Sequence, residues 1–382
     1  MVKKILIDAR MYGLENAGIG RYIINLIEEL KNLGTEEQFI VLLRKKYFEE
    51  LNFPENWKKV LAEFRHYSLI EQISLPGIIS KEKPDLVHFP HFNVPIFWGG
   101  NFVVTIHDMT MHKQGTSAST LPLPFYYLKR FPYKLVFADA VTRSKGIIVP
   151  SQAVKDELVK HYKISGDKIA VTYEGVKIDF LKARGGAGEL EVMSNYGLAN
   201  KSYFFYVGNA YPHKNLSKAI EAISLLNKEN VGKVLFVMAG SRDIFIDRLE
   251  KEIDKLKAGE FVKILGYVSD NDLAFLYKNA KAFVYPSLAE GFGLQGLEAM
   301  AARILVLASD IPVFKEIYQD NALYFDPNDP HSILEAMKKV VKNNHVEREE
   351  RISKAREFIK RYSWTKMAEG TLRVYREVLN RT

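Results

Sequence analysis

The sequence predicts an α/β protein of two domains, each a parallel sheet covered by helices, and three observations carry that prediction. Apolar runs of strand length alternate with helical patterns along the chain, the arrangement that crossover helices between parallel strands require. At 382 residues the chain is too long for one ordinary core and long enough for each of two domains to bury its own. The motifs that carry chemistry fall in loops after strands, and ligands of such sheets sit beyond the carboxyl ends of the strands.

Met1-Val2-Lys3-Lys4-Ile5 runs directly into a strand pattern at residues 3–9. After its loop, Gly18-Ile19-Gly20 opens a helical pattern over 19–33. Strand patterns follow near 38–43, 86–89, 102–107 and 146–149, and a second helical pattern covers 151–162. In the second half, 203–208, 234–239, 262–266, 281–286, 304–308 and 322–325 are strand-like, with helical stretches between them. The domain boundary is placed near Tyr173 to Asp179, and Gly185-Gly186-Ala187-Gly188 reads as a flexible loop just inside the second domain. A final helical pattern from Thr365 to Leu379 follows the break at Tyr362-Ser363-Trp364.

Composition narrows the class. With 47% hydrophobic and 26% charged residues the chain is globular, and without cysteine it has no disulfide, thiolate metal ligand or thiol nucleophile. The start lacks the long apolar stretch of a signal peptide, and no run reaches spanning length, so a cytoplasmic protein is expected. The net charge of +8 favours an acidic partner. Residues 125–134, Phe-Tyr-Tyr-Leu-Lys-Arg-Phe-Pro-Tyr-Lys, interleave aromatics with cations, which suits the headgroup layer of an anionic membrane. The same segment also reads as a helix that buries its rings and leaves Lys129, Arg130 and Lys134 solvated. No nucleic-acid module accompanies it.

The most informative segment is Glu290-Gly291-Phe292-Gly293-Leu294-Gln295-Gly296-Leu297-Glu298, where a strand turns into a helix. A Gly-Phe-Gly turn lets backbone approach a ligand closely, and the free amides and positive dipole end of the helix favour an anion such as a diphosphate. The two carboxylates suit sugar hydroxyls on either side of that phosphate. Lys214 follows a strand through Asn209-Ala210-Tyr211-Pro212-His213, so its ammonium reaches toward a diphosphate and offsets charge on a leaving nucleotide. Asp270-Asn271-Asp272 has the form of a metal-binding triplet, but Ser269 as helix cap with acids in the first turn accounts for it without a metal. His88 and His91 lack a third ligand at useful spacing and read as residues at a strand end.

The Glu290 to Glu298 segment resembles the Glu, seven residues, Glu signature of retaining glycosyltransferases of the family 4 type, which have the two-domain GT-B fold. The likeness extends through Ile7-Asp8-Ala9-Arg10, Gly18-Ile19-Gly20-Arg21-Tyr22, Thr105-Ile106-His107-Asp108, Tyr206 to Leu216 and Tyr362-Ser363-Trp364. It implies two Rossmann-like domains facing each other across a deep cleft, with the last helix crossing back to the first. Residues 1–174 plus 365–382 would form the acceptor-side domain, and 175–364 the nucleotide-sugar domain.

The resemblance also implies roles. Glu290 and the amides of Gly291, Phe292 and Gly293, adjoined by Leu294, hold the donor hexose; Lys214, Gly18 and Gly20 hold the diphosphate; Glu298 holds the ribose; Tyr267 and Val268 flank the base. His107 faces the reacting sugar, with Asp108 orienting it or a nearby loop; a core histidine satisfied by backbone is the other reading of the residues alone. Relatives often carry arginine at Asn209, so Arg242 or Arg21 is expected to compensate, or Lys214 to do more. They also have proline near Gln295, and glycine where Arg303 stands, so the helix behind Glu298 is expected to end differently. The expected activity is transfer of a hexose, mannose favoured, from a nucleoside diphosphate sugar, GDP-mannose favoured, to a glycan or lipid-linked acceptor, without a cofactor or metal. A catalytically silent nucleotide-sugar binding partner of a glycan assembly complex is the alternative.

Overall fold

The computed structural model describes residues 2–113, 123–177, 188–229, 233–241, 243–342 and 344–381. The chain forms two compact units, one from residues up to 111, the stretch to Gly175 and Ser363 onward, the other chiefly Val176–Tyr362. The Gly185 to Ala187 stretch and Arg242 lie outside the described residues.

The first unit holds seven strands: β1 (Lys4–Asp8), β2 (Gln38–Leu43), β3 (Trp57–Leu61), β4 (Leu86–Phe89), β5 (Phe102–Thr105), β6 (Gly146–Val149) and β7 (Ile169–Val171). They pair in parallel in the order β3-β2-β1-β4-β5-β6-β7. The central strands are mostly apolar and largely buried, as strands covered on both faces must be, with His88 and Thr105 as buried polar members. The sequence patterns did not reveal the two edges. β3 reads Trp-Lys-Lys-Val-Leu, and edge lysines of this kind keep a sheet from pairing with a foreign strand, while β7 is three residues long. A helix at Leu69–Glu82 was hidden by Pro76 and Gly77 inside it; Ser68 caps it by accepting from the Glu71 amide.

The C-terminal helix, Trp364–Arg381, belongs to this first unit. It packs beside the helix Ala17–Asn32 and buries Trp364, Met367, Leu372 and Tyr375. Two glycines make room for it: a Cβ on Gly146 would meet Val374 at 3.3 Å, and one on Gly175 would lie 2.1 Å from the Trp364 nitrogen. A buried polar network fixes the helix to the sheet. His88, fully buried as the last residue but one of β4, has its Nδ1 2.6 Å from the Tyr375 hydroxyl and its Nε2 2.8 Å from Thr105 Oγ1.

The second unit holds β8 (Ser202–Val207), β9 (Val234–Ala239), β10 (Val262–Gly266), β11 (Ala282–Tyr285), β12 (Leu305–Ser309) and β13 (Leu323–Phe325). All pairings are parallel, in the order β10-β9-β8-β11-β12-β13. Each sheet therefore reverses its winding once, between β1 and β4 in the first and between β8 and β11 in the second. At such a reversal the loops leave in opposite directions and open a crevice at the strands' carboxyl ends. Both clusters described next lie at these two places.

Candidate active site

In the second unit the crevice is built by loops tied to one another. Asn215, in the left-handed region, donates from its side-chain amide to the carbonyls of Pro286 at 3.1 Å and Pro327 at 2.8 Å, and Leu288 N donates to His213 O at 2.8 Å. These bonds clamp the loop after β8 to the loop after β11. Their consequence is an ion pair: Lys214 Nζ lies 2.6 Å from Glu290 Oε1, with each side chain about a tenth exposed. The Lys214 ammonium also stands 5.8 Å from the centre of the Tyr285 ring. Two residues read separately in the sequence, as a phosphate contact and a hexose contact, thus form one charged unit.

Three buried phenols hold the surrounding loops, two through backbone carbonyls and one through a side chain. Tyr206 donates to Asn209 O at 2.8 Å, Tyr318 donates to Gly293 O, and Tyr285 donates to Gln295 Oε1 at 2.7 Å. Burial, and then the charge of Glu290, push all three hydroxyls well above the usual tyrosine range, so they remain protonated donors. Tyr285, Tyr318 and the partner role of Gln295 leave no mark in the sequence, because neither the apolar strand that ends at Tyr285 nor the helix that ends at Tyr318 distinguishes a core tyrosine from one aimed at a loop. Gln295 supplies the acceptor that a buried phenol requires.

The Gly291 to Gly293 turn is packed against these rings. Gly293 has φ 89°, and a Cβ there would meet the Tyr318 oxygen at 2.4 Å and Phe314 at 2.7 Å. Phe292 is buried with its ring edge-on to Tyr362, so its side chain anchors the turn while its backbone lines it. The helix Leu294–Ala301 then carries Glu298 on its inner side, 6% exposed. That helix does not end in a different way for lack of glycine. Ile304 N donates to Ala299 O and Arg303 N to Met300 O, each at 3.1 Å, a Schellman closure with Arg303 itself at φ 64°.

Asn209 is at the mouth of β8, and its Oδ1 is buried with no hydrogen-bond partner, as is Ser287 Oγ. Tyr267 is 80% exposed and Val268 is buried. Ser269 caps the helix Asp270–Asn279 by accepting from Asp272 N, and Asp272 accepts from the Tyr196 hydroxyl at 2.9 Å, so this triplet has structural employment.

In the first unit, His107 follows β5; its Nε2 donates to Pro90 O at 3.0 Å, and its Nδ1 lies 3.7 Å from Glu174 Oε1. Both ring nitrogens are therefore oriented by protein groups. Asp108 does not touch that ring but accepts from Thr110 N at 2.7 Å, which shapes the following loop. Gly20 has a packing reason, since a Cβ there would lie 1.8 Å from Gly13 O, whereas Gly18 borders open space. Asp8, Arg10, His66 and Glu71, which no chemical motif in the sequence joins, gather at the crevice between β1 and β4. The Asp-Ala-Arg run at a strand end was the available signal.

Residues 192–358 match the family of glycosyl transferases group 1, and residues 16–180 match Glycosyltransferase Family 4. The O-antigen chain mannosyltransferase RfbU of Salmonella typhimurium is 28% identical over 96% of this chain and 97% of its own length. O-antigen chain mannosyltransferase B of Escherichia coli is 26% identical over 94% and 96%. Anabaena Alr3699/HepE, solved in complex with UDP-glucose, shares the fold, with a TM-score of 0.76 at 16% identity over 98% of this chain and 99% of that one.

Proposed function

The chain belongs to the glycosyltransferases of the family 4 type, on the GT-B fold, and from that premise we propose that it transfers a mannosyl group from GDP-mannose, with retention, to a glycan or lipid-linked acceptor. The observation that carries the reading is the Lys214–Glu290 pair beside the glycine turn, at the winding reversal of the second sheet. A diphosphate seated against the amides at the start of the Leu294–Ala301 helix meets a cation in Lys214, and Glu290 accepts from hydroxyls of the attached hexose. As the sugar–phosphate bond breaks, Lys214 offsets the charge gathering on the leaving diphosphate, so the reading requires no metal ion. Glu298 holds the ribose, and Tyr267 and Val268 lie beside the base. The unpartnered Asn209 Oδ1 and Ser287 Oγ are further acceptors for ligand hydroxyls. Mannose and a surface polysaccharide are supported by the two O-antigen mannosyltransferase relatives, which this chain matches over nearly its whole length.

No described helix is long and apolar enough to cross a membrane. Within the helix Leu123–Arg143, Leu128, Phe131 and Leu135 are exposed at 68%, 67% and 49%, three and four residues apart, and thus on one face. That face supports reversible attachment to a membrane surface carrying the acceptor.

Incubation with a panel of nucleotide sugars, with and without candidate acceptors, tests the transferase reading. Release of GDP from GDP-mannose and an axially linked mannoside by proton NMR are expected. Binding without any nucleotide release across the panel would overturn it.

A further inference from the structure

At the winding reversal of the first sheet, Asp8, Arg10, Met11, His66, Pro90, His91 and Asn93 line a pocket of about 20 Å³, room for one water-sized group. Arg10 is 2% exposed yet deeply engaged: its Nε and Nη2 donate to the two oxygens of Asp8 at 2.7 and 2.6 Å, and Nη2 also lies 2.8 Å from Glu71 Oε1. Glu71 is fully buried and accepts from Tyr67 N at 2.7 Å and Asn93 Nδ2 at 2.9 Å. Among the residues that line the pocket two polar atoms are left over, and behind them Glu71 Oε1 has ion-pair contacts but no hydrogen bond. Arg10 Nη1 is buried without a partner, and so is His66 Nε2. The other His66 nitrogen, Nδ1, lies 3.5 Å from Glu71 Oε1, and a ring proton held on that side leaves Nε2 with a lone pair.

The pocket thus offers one donor and one acceptor, in a volume that admits a single oxygen. A hydroxyl both donates and accepts, and it fits that pair as neither a carboxylate nor an ammonium does. Charge sharpens the choice, because one guanidinium faces two carboxylates, Asp8 and Glu71, and the surplus is negative. A phosphate is repelled where a neutral alcohol is not. We propose that this pocket seats one hydroxyl of the acceptor carbohydrate, taken by Arg10 Nη1 and His66 Nε2, and that it selects neutral sugars over phosphorylated ones. The inference rests on the transferase reading for its carbohydrate but not for its geometry.

The test needs no donor. Saturation-transfer NMR of the full chain with the methyl glycosides of mannose, galactose and N-acetylglucosamine is expected to show binding of at least one, unaffected by inorganic phosphate. Arg10→Lys, which removes the Nη1 donor and keeps the charge, and His66→Phe, which removes the acceptor, should each weaken it at least tenfold. Equal binding by parent and variants, no binding of any glycoside, or displacement by phosphate would each overturn the proposal. A crystal of the parent soaked in the bound glycoside gives the answer without a variant: a sugar oxygen against Arg10 Nη1 sustains it, and a water there overturns it. A chain that binds the glycoside but never releases nucleoside diphosphate fails the transferase reading alone. One that releases nucleoside diphosphate and ignores every glycoside fails this inference alone.

Discussion

Lys214 Nζ and Glu290 Oε1 lie 2.6 Å apart although 76 residues separate them, and each is the other's counter-ion. Removing either leaves a charge in a setting only about a tenth exposed. Lys214→Ala and Glu290→Ala are each expected to cost about 2–3 kcal/mol, below the roughly 3–5 of a fully buried pair, and to slow nucleotide release on the order of 100- to 1000-fold. The double variant should lose less stability than the sum of the singles, because it leaves no orphaned charge. Urea titration of the four proteins checks this; additive losses would show that the two groups are not coupled.

Gly296 is packed as tightly as Gly293, with a Cβ position 2.4 Å from the Tyr318 oxygen. Gly296→Ala should destabilise by about 2 kcal/mol through overpacking. In a Tyr318→Leu background the same change should cost less, since the hydroxyl, Cζ and Cε1 that the new Cβ would meet at 2.4, 2.5 and 2.9 Å are all gone. Melting temperatures of the single and double variants decide it, and equal costs in both backgrounds would place the strain elsewhere.

Arg303 occupies φ 64°, where a side chain costs roughly 1 kcal/mol and glycine costs nothing. Its exposed contact with Glu349 at 3.5 Å offsets little. Arg303→Gly is therefore expected to stabilise the second unit by about 1 kcal/mol, with unchanged turnover. A lower denaturation midpoint would mean that the contact outweighs the backbone strain.

His88 is held to about 3 by burial, and then by His107, against an ordinary value of 6.5. The unfolded chain therefore binds the proton first as pH falls. Stability of the first unit is full above pH 6.5 and declines below it, by about 2 kcal/mol between pH 6.5 and pH 5 from this one group. His88→Gln should be less stable at pH 7, where it loses bonds to Tyr375 and Thr105, yet decline less over that window. Parallel pH profiles for the two proteins would remove His88 as the cause.

If the exposed face of Leu128, Phe131 and Leu135 meets a membrane, serine at all three positions should abolish cosedimentation with anionic vesicles and leave GDP-mannose binding unchanged. Undiminished cosedimentation would leave that face as solvated helix surface.

The strands of both sheet centres and the strand-to-helix turn at Glu290 were legible because they are local: apolar runs report burial on both faces, and glycines report where backbone must approach closely. β3 and β7 were not, since an edge strand is half-solvated or too short to leave a pattern, and Pro76 masked a helix that tertiary packing tolerates. Among the candidate site residues, Lys214, Glu290 and Glu298 could be named from loop position and family likeness. That Lys214 pairs with Glu290, that Gln295 satisfies Tyr285, and that Arg10 bridges Asp8 to Glu71 while Nη1 is left over could not. Those relations depend on which strands become neighbours. β8 lies beside β11 and β1 beside β4, and only that pairing brings groups tens of residues apart to one crevice, where low dielectric makes each unpaired polar atom costly and so fixes its partner.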